Sequence, residues 1–234
     1  MSSDHRNSSD AAQPARTGVD EGAGVTGGSG TAPARDAGKK ARRGWRVIDI
    51  VTAAVLGVAV GLIFVVWNVV GGAWFTAADA LTPGLGGLVV GPWLLGGVIG
   101  GLVIRKPGAA LFVEVIAATV SALIGNQWGI STLYSGLAQG LGAELIFLLF
   151  AYRRFTAPVA VLVGAAAGAG AFLLELFTSG NLARTWQFNS IYLVCLLVSG
   201  AVLAGLVGWA LVRALAGTGA LDRFAAGRER RGEI

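Results

Sequence analysis

Residues 47–212 carry only ten Asp, Glu, Lys or Arg side chains among 166. A water-soluble domain has about 25% charged residues. The whole chain here has 13%, against 54% apolar, so a soluble fold would lack the polar surface to cover itself. The formal charge is nevertheless +5, because the bases stand outside the apolar stretch. Lys39, Lys40, Arg42, Arg43 and Arg46 precede it, and Arg223, Arg228, Arg230 and Arg231 follow it. Basic clusters at the borders of apolar runs mark membrane flanks rather than a nucleic-acid surface. The sequence reads as an all-α integral membrane protein whose large-scale partner is the lipid bilayer.

A crossing needs about 20 apolar residues to span roughly 30 Å of hydrocarbon. Turn residues and charges divide the stretch into six such spans, near 47–70, 84–104, 108–125, 133–151, 158–178 and 190–212. The breaks fall from Gly71-Gly72 to Thr82-Pro83, at Arg105-Lys106-Pro107-Gly108, between Asn126 and Thr132, between Tyr152 and Ala157, and between Ser179 and Asn189. The second span holds Pro92 and eight glycines between Gly84 and Gly101. It is expected to kink or break where neighbouring helices satisfy its freed backbone groups, and a re-entrant course would change the crossing number by one. Residues 1–43 are polar, rich in Ser, Gly, Ala, Asp and Arg, and are expected to be a disordered tail. The domain division is therefore that tail, a transmembrane domain over 44–215 and a basic tail over 216–234. The first apolar run starts too late and is too long for a cleaved signal, so it is expected to be retained.

Orientation follows from bases in short connections. With the N-terminus inside, Arg105, Lys106, Arg153 and Arg154 all fall on the inner side, and the outer connections hold only Arg184. Both termini are then cytoplasmic, in a multi-pass protein of the cell membrane. Trp45, Trp67, Trp74, Trp128, Tyr134, Tyr152 and Trp186 lie near span ends, as an interfacial belt requires.

The single histidine, His5, is in the polar tail, and the single cysteine, Cys195, is inside an apolar run. No Ser–His or Cys–His catalytic pair, His/Cys metal site or haem ligand pair can be assembled in the membrane part. No GxxxxGK[ST] phosphate loop is present. No enzymatic activity, cofactor or metal is expected of this chain, and transport against a gradient would draw on an ion gradient or on separate ATPase subunits.

Ionisable side chains within spans are costly and are functional candidates by default. Glu144 shares a face of the fourth span with Gly136 and Gly140, and Glu175 lies near the outer end of the fifth. Each reads either as a ligand or gating group or as a helix-packing hydrogen bond. Glu114 reads as structural, with Arg105 or Lys106 within reach of it. At the outer end Asn126, Gln127, Trp128 and Gln139 form a candidate site, with Tyr134 beside them; aromatic faces and directed hydrogen bonds suit a planar or cationic ligand. Trp67, Trp74 and Trp186 read chiefly as belt residues, Trp67 being kept as a candidate contact. Ala53, Gly57 and Gly61 form a small-residue seam that fits internal packing or partner docking equally.

In this order, Arg105-Lys106-Pro107-Gly108-Ala109-Ala110, Glu114, Gly125-Asn126-Gln127-Trp128-Gly129 and Gln139-Gly140-Leu141-Gly142-Ala143-Glu144 resemble the YkoE family. Its members are substrate-binding S components of energy-coupling factor (ECF) transporters, associated with thiamin or its precursor hydroxymethylpyrimidine (HMP). The resemblance covers about residues 46–212 and leaves the polar tail outside. It implies a six-helix S-component bundle that captures the vitamin and docks onto a transmembrane coupling subunit carrying two cytoplasmic ATPases. The Ala53-Gly57-Gly61 seam resembles the docking seam of such proteins, with glycines at two positions where alanines are usual. Thiamin joins an aminopyrimidine to a cationic thiazolium, which an uncompensated carboxylate and stacked aromatics would suit. Two other readings stand beside it: a stand-alone proton- or cation-coupled carrier using Glu144 and Glu175, and a scaffold in which the carboxylates serve packing alone.

Overall fold

The computed structural model describes residues 44–230 and Gly232; the tail expected over 1–43 lies outside the described residues. Helix α1 (Val47–Leu81) starts where Asp49 accepts from Arg46, the Arg46 N–H donating to Asp49 Oδ2 at 2.8 Å and its guanidinium pairing with the same carboxylate. It does not break at Gly71-Gly72, as the sequence reading expected. A glycine pair weakens a helix without removing any hydrogen bond. The helix ends instead before Pro83, which drives Thr82 into an extended conformation (φ −152°, ψ 123°).

The glycine-rich second span is broken, with 3₁₀ turns at Leu85–Val89 and Gly91–Leu94 leading into α2 (Leu95–Ile104). The freed backbone groups are satisfied from another helix. Gly91 N–H donates to Ser199 Oγ at 2.8 Å, and the Ser199 hydroxyl donates to the Leu88 carbonyl at 2.7 Å. Every residue of α2 is buried, so the least polar helix becomes the central stave. The turn after it reverses the chain through Gly108, whose φ of 84° favours glycine.

Helices α3 (Ala109–Ile124), α4 (Ser131–Leu149) and α5 (Ala157–Thr178) follow, the last with Pro158 in its first turn, where a missing N–H costs nothing. A 3₁₀ turn at Asn181–Ala183 precedes α6 (Trp186–Ser199), which runs through a π-helical stretch (Gly200–Leu206) into α7 (Val207–Gly217). A final short helix, α8 (Ala225–Arg230), packs back against α2 and α7, burying Leu221 and Phe224. Helix α3 packs on both α1 and α4, α5 lies against α4 and the π-helical stretch, and α2 is enclosed among them.

Among the described residues, four helical segments are long and apolar enough to cross a membrane: Val47–Leu81, Ser131–Leu149, Ala157–Thr178 and Trp186–Gly217. Gly91–Ile104 and Ala109–Ile124 are apolar but shorter. Val51, Val55, Val58, Leu62 and Val66 leave one flank of α1 exposed and apolar, as a lipid-facing surface requires.

The Ala53-Gly57-Gly61 seam points the other way. All three residues are buried, and α3 meets the two glycines: a Cβ on Gly57 would stand 2.6 Å from Ile116 Cγ2 and one on Gly61 2.7 Å from Val120 Cβ. The small residues let two helices approach closely within this chain, which is the internal-packing reading of the seam; partner docking through it has no exposed surface among the described residues.

Candidate functional site

The bundle encloses a cavity of about 490 Å³ at the end opposite Arg105 and Lys106, between α1, the 3₁₀ break, and α3 to α6. That volume lies in the range of small-ligand sites. Its aromatic floor comes from the broken span. Trp93 meets Trp128 edge to face at 5.5 Å, and its indole N–H donates to Asn68 Oδ1 at 2.8 Å. Asn68 is held in turn, its amide donating to Ser121 Oγ at 3.0 Å. Phe75, Phe188 and Tyr192 form a second aromatic wall, in which Phe188 and Tyr192 stack at 5.7 Å.

Among the described residues, three carboxylates line the cavity, Asp79, Glu114 and Glu175, against one base, Arg184. Glu114 is fully buried and accepts the Gly97 N–H through Oε2. Gly96 makes this seat possible, since a Cβ there would stand 2.7 Å from Oε2. With its amide turned to satisfy both partners, Gln139 donates to Glu114 Oε1 at 3.2 Å and to the Trp93 carbonyl at 3.1 Å. Glu175 accepts from the Tyr192 hydroxyl at 2.6 Å, and Asp79 accepts the Gly84 N–H at 2.7 Å. The Arg184 guanidinium lies over the Phe188 ring, 4.3 Å from its centroid. Excess carboxylate, aromatic faces and a fixed amide together favour a flat, electron-poor or cationic ring system.

Of the residues singled out in the sequence, Gln127, Trp128, Gln139 and Glu175 line the cavity. Asn126 instead builds its turn: Oδ1 accepts the Trp128 and Gly129 N–H groups at 2.9 Å and the Thr132 hydroxyl at 3.1 Å. Trp67 stands behind the floor, its indole N–H on the Val89 carbonyl at 3.0 Å and its ring edge-on to Trp93. Tyr134 is exposed and does not line the cavity.

Glu144 is elsewhere altogether. It accepts the N–H groups of Gly108 (2.6 Å), Ala110 (3.0 Å) and Leu111 (3.3 Å) and the Tyr152 hydroxyl. Helix α4 returns antiparallel to α3, so a carboxylate late in α4 meets the donors left unpaired at the start of α3. Of the two readings of Glu144, ligand group or helix-packing hydrogen bond, these contacts are the second: it caps the start of α3. For Glu114, the expected reach of Arg105 or Lys106 is corrected. Arg105 pairs with Glu229 and Lys106 with Asp49, so neither reaches Glu114.

Sequence reasoning passed over Trp93, Asp79, Phe75 and Tyr192. Trp93 had a readable signal, an aromatic residue directly after the helix-breaking Gly91-Pro92. Among the described residues, no group of three or more His, Cys, Asp or Glu side chains is placed to hold a metal ion.

The family described as ABC-type cobalt transport system, permease component, matches residues 48–170. The chain is 37% identical over 191 residues to YkoE of Bacillus subtilis (strain 168), whose name designates an HMP/thiamine permease protein; the match covers 80% of this chain and 92% of that one. A crystal structure described as an S component of an ECF transporter superposes with a TM-score of 0.70 at 32% identity, covering 81% of this chain and 95% of that one. The motif order, the helical bundle and these likenesses agree, and the chain belongs to the YkoE family of ECF-transporter S components, multi-pass membrane proteins of transport.

Proposed function

We propose that this chain is the substrate-capture subunit of an ATP-driven vitamin importer and that its cavity takes thiamin or HMP. One observation carries the reading: the buried Glu114 carboxylate faces a cavity floored by Trp93 and Trp128, with no base paired to it among the described residues. An aminopyrimidine stacks on indole and donates its amino hydrogens to a carboxylate, with Gln139 completing the polar edge. Toward α5 and α6, Asp79 and Glu175 beside Phe75, Phe188 and Tyr192 suit the quaternary nitrogen of the thiazolium.

In this reading the basic end faces the cytoplasm, the chain crosses the cell membrane six times with both termini inside, and the cavity loads from outside. Hydrolysis belongs to two ATPase subunits beneath a transmembrane coupling subunit. This chain contributes a difference in ligand affinity between outward and inward states. Because α3 covers the Ala53-Gly57-Gly61 seam, docking falls to another surface of the bundle. The ion-coupled carrier through Glu144 and Glu175 loses Glu144 to the α3 cap.

The test is titration of the purified chain with thiamin and HMP by tryptophan fluorescence. Saturable quenching is expected. Glu114→Gln should weaken both ligands about tenfold, a buried amino group left without its acceptor costing roughly 1–3 kcal/mol. Glu175→Gln should weaken thiamin and leave HMP unchanged, since HMP has no cationic ring. Silence toward both ligands from folded protein would defeat the reading.

A further inference from the structure

A second cavity, of about 450 Å³, opens on the flank between the latter half of α1 and the α3–α4 turn. Val69 and Ala73 belong to it alone, whereas Asn68, Gly72, Thr76 and Gln127 line both cavities and so form the partition between them. Three of these four are fixed or absent as obstacles. Asn68 is held by Trp93 and Ser121, Thr76 turns its hydroxyl back onto the Gly72 carbonyl at 3.1 Å, and Gly72 has no side chain. Gln127 alone is loose: it is exposed and its side chain makes no hydrogen bond among the described residues. Its neighbour Asn126 is pinned by its own turn.

Packing does not require glycine at position 72. A Cβ there would meet only Gln127 Nε2, at an ordinary 3.8 Å, whereas at Gly71 the Trp67 indole already fills the space. Glycine costs helix stability relative to alanine, so the space kept open at Gly72 is clearance for something that passes. A glutamine side chain in solvent changes rotamer within nanoseconds and closes such a slot without sealing it.

We propose that the second cavity is the vestibule through which the ligand reaches the main cavity, with Gln127 as its gate. The slot is lined by amides and a hydroxyl, which a polar heterocycle crosses without losing hydrogen-bond partners. The inference rests on the thiamin reading above. It predicts that narrowing the vestibule slows arrival and departure together while leaving the equilibrium unchanged.

The test attaches a bulky maleimide to Ala73→Cys, and in a parallel sample to Leu182→Cys across the main cavity. Ala73 and Leu182 are both exposed, whereas the native Cys195 is buried. Stopped-flow fluorescence with thiamin should show both rate constants falling about tenfold or more for the Ala73 label, with Kd kept within about twofold. The Leu182 label should leave them unchanged, and Gln127→Ala should raise both. Slowing by the Leu182 label alone, or by neither, overturns the proposal. So does an Ala73 label that weakens affinity without slowing association, since that places Ala73 against the bound ligand. An unlabelled chain that fails to bind thiamin defeats the vitamin reading and this proposal with it, whereas normal binding with unaltered rates defeats only the vestibule.

Discussion

Glu114 and Glu144 are the same side chain set among apolar neighbours on adjacent antiparallel helices, yet they have different work. Glu144 spends its acceptor capacity on three backbone N–H groups and a tyrosine hydroxyl. Glu114 accepts the Gly97 N–H and the Gln139 amide and lines the cavity. Removing the first is a matter of stability, because donors at the head of α3 lose their partner. Glu144→Ala should lower unfolding stability by about 1–3 kcal/mol, the cost of leaving such groups unsatisfied, while any protein that stays folded keeps its thiamin affinity. Thermal unfolding and ligand titration on the same sample check this. A selective loss of binding at unchanged stability would return Glu144 to the ligand.

At the scale of elements, one helix that breaks and one that does not break shape the cavity. The 3₁₀ break lifts Trp93 to the cavity floor and is tied to α6 through Ser199, which supplies the donor and acceptor that lipid does not. The uninterrupted run of α1 past Gly71-Gly72 carries Phe75 and Asp79 to the rim. Below them α1 and α3 lie in close contact through Gly57 and Gly61. Gly57→Leu should therefore overpack an internal interface at a cost of about 1–3 kcal/mol. Melting temperature, ligand binding and uptake are expected to fall together. Loss of uptake alone, with stability and binding intact, would show that this seam faces a partner after all.

For the molecule as a whole, the two ends differ in kind. One end is closed by ion pairs and a packed C-terminal helix: Asp49 with Arg46 and Lys106, Arg105 with Glu229, and Leu221 and Phe224 buried. The opposite end is hollow and acidic, with exposed connections. The proposed orientation puts the closed end inside the cell, as the distribution of bases requires. A membrane-impermeant thiol reagent applied to intact cells should label Leu182→Cys in the α5–α6 connection. It should spare Thr156→Cys, at the exposed start of α5, until the cells are opened. The reverse pattern would invert the topology and place the cavity on the cytoplasmic side.

What the sequence determined by itself is the membrane setting, the helical class, the rough position of each helix and the family. Lipid demands length and apolar composition from each segment separately, and both are written locally. The breaking of the second span was legible for the same reason, in Pro92 and its glycines. Part of the site was legible too, because Gln127, Trp128 and Gln139 follow one another through a single turn and the helix after it. Tertiary structure alone decided which carboxylate faces the cavity and which side of α1 is buried. Glu144 meets Gly108 across 36 residues of chain, and Gly57 and Gly61 are inward only because Ile116 and Val120 of α3 come to meet them. The role of a buried carboxylate or a glycine is set by the group opposite it on another helix, and no periodicity along its own helix contains that information.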